Sequence, residues 1–101
     1  MSIKDQIQAD ITKNKVMVYM KGTPDAPMCG FSAQVVNIFK SHDVAFGAKN
    51  ILEDPELRQG IKDFTDWPTI PQVFINSEFI GGCDIVTELN TNGELKKLLS
   101  K

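Results

Sequence analysis

The sequence is short of the residues from which metal centres and disulfide scaffolds are built: its 101 residues hold two cysteines, Cys29 and Cys83, and one histidine, His42. Two cysteines are too few for a four-thiolate site within one chain, and too few for a stapled secreted scaffold. His42 lies in a helix-ending turn, so no Cys–His or Ser–His–Asp constellation can be assembled around it. Long apolar runs are missing as well, and nothing approaches the ~20 residues a membrane-crossing helix needs. Charge of one sign is scarce. A net charge of −2 gives no electrostatic case for nucleic acid or an anionic membrane as main partner. The first six residues carry Asp5 and no apolar segment, unlike a signal peptide or an Arg-rich transit peptide. The expected compartment is therefore a reducing one, the cytoplasm, although a matrix protein trimmed of its presequence would begin the same way.

What is present is an ordinary globular composition, 42% hydrophobic and 24% charged, sized for one domain over residues 1–101 with a single core. Ser2 and Asp5 fit a capping box, and Ile3, Ile7 and Ile11 recur at helical spacing, so residues 2–14 read as an amphipathic helix. "VMVYM" (Val16–Met20) reads as a buried strand. "KGTPDAPMC" (Lys21–Cys29), with one glycine and two prolines, reads as an irregular loop. Helix resumes at about Gly30, with Val35, Val36 and Phe39 facing inward, and stops near Ser41–Asp43. Val44–Ile51 is a weaker strand interrupted by Gly47. Asp54 and Pro55 give an N-cap followed by proline at the first helical position, with Leu57, Ile61 and Phe64 as the apolar face. "QVFINSEFIGG" is a hairpin around Asn76–Ser77, followed by helices from about Asp84 to Leu89 and from Glu94 to Leu99. A βαβ unit, a helix and a hairpin imply an α/β fold, a mixed sheet flanked by helices. A right-handed crossover puts the Cys29 loop at the carboxyl end of the first strand, where ligands of open α/β sheets bind.

Cys29 stands at or just before a helix N-terminus, where unpaired N–H groups and the helix dipole favour an anion. Lys21 can reach the same mouth. Both effects lower a thiol pKa from its reference of ~8.5. Phe31 can cover the sulfur, and the Ser32 hydroxyl can donate to a thiolate. A lone cysteine is otherwise a small buried apolar residue. Here the order strand, Pro/Gly loop, cysteine, helix favours a working thiolate. Ser32 occupies the position of a resolving thiol, and a hydroxyl cannot serve in local disulfide exchange. Cys29 therefore uses an external thiol, or holds something rather than turning over; Cys83 could resolve it if the fold brings the two together.

Three further segments are candidates. In "WPTIPQV" (Trp67–Val73), Pro68 and Pro71 flank Thr69 and Ile70, and an ordinary trans turn is the default. In "GGCD" (Gly81–Asp84), paired glycines before a helix leave N–H groups that suit a carboxylate, while Asp84 alone reads first as an N-cap. Arg58, one turn into its helix, can fork onto a carboxylate but alone reads as a surface charge.

Taken together, "VYMKGTPDAPMCGFSAQVV", "DPELR" and "DWPTIPQVFINSEFIGGCDI" resemble the monothiol, Cys-Gly-Phe-Ser glutaredoxins over nearly the whole chain, in the short single-domain form. The resemblance implies a thioredoxin fold, with a four-stranded mixed sheet, about five helices and Pro71 in cis. It implies a glutathione groove in which Lys21 and Arg58 bind the glycine carboxylate and the Ile70 backbone before Pro71 pairs with the cysteinyl part. Gly82, Cys83 and Asp84 would hold the γ-glutamyl end, with Asp84 meeting its ammonium. It further implies a homodimer in the cluster-bound form, holding a [2Fe-2S] cluster through Cys29 of each protomer and the thiols of two glutathiones. That makes the four thiolates one chain cannot supply. The implied partners are apo iron–sulfur proteins and, as for relatives, BolA-like proteins. Glutathione-dependent reduction of protein–glutathione disulfides by Cys29 is the alternative activity.

Overall fold

The computed structural model describes residues 2–101. Helix α1 (Ile3–Lys13) starts on the expected capping box: Asp5 N–H donates to Ser2 Oγ at 3.1 Å, and Ser2 N–H returns a bond to the Asp5 carboxylate at 3.4 Å. Its Ile7 and Ile11 are buried. Strand β1 (Val16–Met20) follows and is buried along its whole length. The loop after it is less irregular than expected, because it folds into a two-stranded antiparallel ribbon, β2 (Gly22–Thr23) with β3 (Ala26–Pro27). Pro24 and Asp25 make the turn, a signal hidden beneath the loop-like composition. Gly22, at φ +89°, lets the ribbon fold on itself; a Cβ there would lie 2.5 Å from Ala26 O and 2.6 Å from Met28 N.

Helix α2 (Gly30–Ser41) ends as the sequence predicts. The next strand, β4 (Gly47–Asn50), is shorter than the expected Val44–Ile51. Asn50 ends it: its side chain accepts N–H bonds from Gly22 at 2.9 Å and Leu52 at 3.0 Å, and Ile51–Glu53 turns into a 3-10 helix. Helix α3 (Pro55–Thr65) is capped by Asp54, whose carboxylate accepts from Leu57 N–H at 3.0 Å. Strands β5 (Gln72–Ile75) and β6 (Glu78–Gly81) form the hairpin. Helix α4 runs Cys83–Thr91, wider than expected at both ends, and α5 spans Glu94–Leu99.

The main sheet has the order β4-β1-β5-β6, with β1 parallel to β4 and antiparallel to β5. This four-stranded mixed sheet, with five α-helices among the described residues, is the thioredoxin fold. The period-2 alternation of β1 divides the interior. Val16, Val18 and Met20 pack with Val35, Val36 and Phe39 of α2 and Val86 of α4; Met17 and Tyr19 pack with Ile7 and Ile11 of α1 and Ile61 of α3. Helices therefore cover both faces. Phe39 is fully buried, and deleting such a ring from a core costs about 3–5 kcal/mol. The packing fixes the β1–α2 junction, and with it Cys29.

Candidate functional site

Cys29 is the N-cap of α2, in extended conformation at φ −157° and ψ 148°. Its sulfur fills the place usually taken by a serine or aspartate oxygen: Ser32 N–H donates to Sγ at 3.4 Å. Ser32 is fully buried, and its Oγ accepts from Lys21 N–H at 3.1 Å and lies 3.7 Å from Cys29 Sγ. The neutral thiol donates across that gap. Because the Lys21 N–H brings its own proton, the serine proton is left to turn toward sulfur once the thiol ionises. Burial pushes the Cys29 thiol up, but the Ser32 N–H, the Ser32 hydroxyl, the Phe31 N–H and the Lys21 ammonium together outweigh it and leave the pKa below its ordinary value.

Two grooves adjoin at this end of the sheet. The first, of about 170 Å³, is lined by Trp67, Ile70, Pro71, Gly82, Cys83 and Asp84, together with Phe31 and Thr69. The second, of about 330 Å³, shares Phe31, Thr69 and Ile70 and adds Lys21, Arg58 and Lys62. Phe31, 62% exposed, is thus a wall common to both grooves. The Ile70–Pro71 bond is cis, as the resemblance implies and against the default trans reading.

The two ends differ in chemistry. At one end stand three cations, Lys21, Arg58 and Lys62. At the other is the N-terminus of α4, capped by Gly82, which offers no side-chain bond. The first-turn N–H groups of α4 therefore keep the capacity for an outside acceptor. A Cβ on Gly82 would come within 3.1 Å of Pro71 O, so glycine allows this close approach of α4 to the cis-proline turn. The reading of Asp84 as an N-cap is overturned, because the cap is Gly82 and Asp84 sits in the first turn with its side chain exposed. All seven residues of the expected groove, Lys21, Arg58, Ile70, Pro71, Gly82, Cys83 and Asp84, line these two adjoining grooves.

Lys62, Trp67 and Thr69 were not among the expected site residues. Lys62 was legible: it stands four residues after Arg58 on α3, hence on the same helix face. Both cysteines are free thiols; Cys83 is buried, with its Sγ 3.8 Å from Thr87 Oγ1. His42 is occupied elsewhere, its Nε2 lying 2.7 Å from Asn90 Oδ1. Among the described residues no group of three or more His, Cys, Asp or Glu is placed to hold a metal ion. The donor set available at the α2 N-terminus is one thiolate per chain, which fits a metal–sulfur group only if the remaining ligands come from outside that chain.

The glutaredoxin family model matches residues 16–80, which take in β1, the Cys29 turn, α3 and all of the hairpin but its last residue. The chain is 56% identical over 100 residues to monothiol glutaredoxin-S11 of Oryza sativa subsp. japonica, covering 99% of this chain but only 20% of the rice protein. It is 48% identical to the mitochondrial monothiol glutaredoxin-5 of Saccharomyces cerevisiae, over 98% of this chain and 68% of the yeast protein. Among solved structures, reduced poplar apo GrxS14 superposes with a TM-score of 0.85 at 46% identity, over 98% of this chain and 94% of that one. With the Cys29 turn, the sheet order and these relatives in agreement, the chain belongs to the glutaredoxin family, in its monothiol branch.

Proposed function

We propose that this chain binds glutathione in the two-ended groove beside Cys29 and that two chains together carry a [2Fe-2S] cluster, which they deliver to apo-proteins. The observation that carries the reading is the pairing of one activated thiol with a groove whose ends are oppositely equipped. Glutathione has two carboxylates, one ammonium and one thiol. Lys21 and Arg58 suit the glycine carboxylate, with Lys62 adding charge at that end. The Ile70 backbone ahead of the cis-proline suits the cysteinyl amide. The α4 N-terminus at Gly82 and Cys83 suits the γ-glutamyl carboxylate, and Asp84 suits its ammonium.

A tripeptide held this way brings a second thiol to the place that Ser32 leaves without one. Two Cys29 thiolates and two glutathione thiols then complete the four ligands of a [2Fe-2S] cluster between protomers. The cluster is cargo. Half of its ligands are exchangeable small molecules, which favours release to apo iron–sulfur proteins, with BolA-like proteins as further partners, in a reducing compartment such as the cytoplasm.

A second activity uses the same geometry, and the buried Ser32 hydroxyl is the observation that shapes it. The Cys29 thiolate attacks the glutathione sulfur of a protein–glutathione disulfide, and the substrate protein leaves as its thiolate. A second glutathione thiolate then attacks the Cys29–glutathione disulfide, releasing glutathione disulfide and restoring the Cys29 thiolate. With no thiol at position 32, that second step depends on external glutathione.

Anaerobic reconstitution with iron, sulfide and glutathione tests the cargo reading. A visible chromophore that requires glutathione, in a species of twice the monomer mass, supports it. A protein that stays colourless and monomeric contradicts it.

A further inference from the structure

Gln72 breaks the pattern of its strand. Its β5 neighbours are apolar: Val73 and Ile75 join the core against α2 and α4, and Phe74 joins the core against α1 and α3. Gln72 lies on the Phe74 side, pairs with Tyr19 of β1 and is fully buried. A leucine would satisfy the strand, whereas a buried amide is costly unless every polar atom finds a partner. All of them do. Gln72 Nε2 donates to Trp67 O at 2.9 Å and to Thr69 O at 3.1 Å. Its Oε1 accepts from Thr65 Oγ1 at 2.8 Å. The two carbonyls fix the amide orientation, since a flipped amide would set oxygen against oxygen.

Thr65 closes the loop from the other side. Its hydroxyl accepts from Trp67 N–H at 3.2 Å, and its one proton lies between Gln72 Oε1 and Ile61 O, the latter at 3.0 Å. The segment so bound turns through Asp66, at φ 55°, and carries Trp67, Thr69 and Ile70. Those three residues line the first groove, and Thr69 and Ile70 line the second as well. Gln72 lines neither groove and reaches the site only through that loop.

We propose that Gln72, held by Thr65, is a positioning residue for the groove: it fixes the Trp67–Ile70 loop from beneath so that both grooves are preformed before the tripeptide arrives. Rigidity of this kind removes an ordering cost from binding. The inference rests on the glutathione reading of the groove for its ligand, though not for the clamp itself.

The test measures three things on the whole chain and its variants: the Kd for reduced glutathione by calorimetry, hydrogen exchange at the Trp67 amide, and the pH profile of Cys29 alkylation. Gln72→Leu is expected to weaken glutathione binding about tenfold, the size of one net hydrogen-bond contribution. It is also expected to speed exchange at Trp67 and leave the alkylation profile unmoved. Thr65→Val should act in the same direction, and Thr65→Ser, which keeps the hydroxyl, should restore the parent values. Affinity within twofold of the parent in a folded Gln72→Leu overturns the proposal. If Gln72→Leu does not fold, the Thr65 pair decides, and equal affinity in Val and Ser variants overturns it. If the parent itself takes no glutathione, the groove reading falls, and exchange alone then judges the clamp: unchanged protection of Trp67 in Gln72→Leu overturns it, and faster exchange supports it.

Discussion

Ser32 N–H donates to the Cys29 sulfur across 3.4 Å, so the Cys29 thiol is also the cap of its own helix. The chemistry and the local fold are therefore one feature. Ionising the sulfur strengthens the cap, and the helix in turn stabilises the thiolate.

The rate of Cys29 alkylation against pH is expected to inflect below the ordinary thiol value. Ser32→Ala removes the hydroxyl but not the N–H, so the inflection moves up from the parent's. The same change strips Lys21 N–H of its acceptor, which costs about 1–3 kcal/mol where the group is kept from water. The folded-state pKa is depressed, so the thiolate contributes stability at pH above the unfolded thiol's value. That contribution is lost as pH falls through the folded value. Alkylation kinetics and pH-dependent melts on both proteins check this; an unshifted inflection in Ser32→Ala contradicts it.

At alkaline pH a different residue governs. Tyr19 is buried, its hydroxyl donates to Asp10 at 3.0 Å, and burial followed by the nearby Asp10 charge and that bond raise its pKa above the ordinary 10.0. The raised value means Tyr19 supports the fold fully below 10.0 and progressively less as pH rises beyond it. Tyr19→Phe should cost about 1.5–3 kcal/mol at neutral pH, the range for a bond to a charged partner. Asp10 keeps its 2.9 Å ion pair with Lys49 in that variant. The stability of Tyr19→Phe should fall less steeply above pH 10.0 than that of the parent. Denaturant melts across pH check both points.

Gly22→Ala should be among the most damaging single-methyl changes. The left-handed φ of +89° and the approach of Ala26 O and Met28 N leave no room for a Cβ. Strain and overpacking together cost about 2–5 kcal/mol. Because the ribbon leads into Cys29, the alkylation rate should change with stability. Equal melting temperatures would show that the ribbon yields freely.

Removing Lys21 or Arg58 as alanine should each weaken glutathione about tenfold or more, as expected for charge-assisted bonds to a carboxylate. Raising the salt concentration should weaken the parent and narrow the gap between it and the variants. Calorimetry at two ionic strengths checks this, and binding indifferent to both changes would remove the cationic end from the site.

Much of the fold was legible because its signals are local. The Ser2–Asp5 box, the Asp54–Pro55 start and the buried Val16–Met20 run each specify their element without help from distant residues. The candidate groove was legible through the resemblance, since nothing in the spacing of Arg58, Pro71 and Asp84 says that they share one end of a sheet. What stayed hidden depends on particular backbone and side-chain bonds, near and far, that no hydrophobic pattern or capping signal announces. The ribbon around Gly22 hangs on Asn50, and β4 ends where that side chain takes its two N–H bonds. Asp84 reads locally as a cap until Gly82 is seen in that position. Gln72, with no apparent task in the sequence, is explained only by two carbonyls several residues upstream.

In the proposed function, glutathione supplies the thiol which Ser32 withholds. Ligand stoichiometry in the reconstituted protein tests it most directly, with iron, sulfide, glutathione and chain counted in the same sample. Two glutathiones are expected for each pair of chains, with total loss of the chromophore in Cys29→Ser and its retention in Cys83→Ser. A chromophore that forms without glutathione, or one lost when Cys83 alone is replaced, would contradict it.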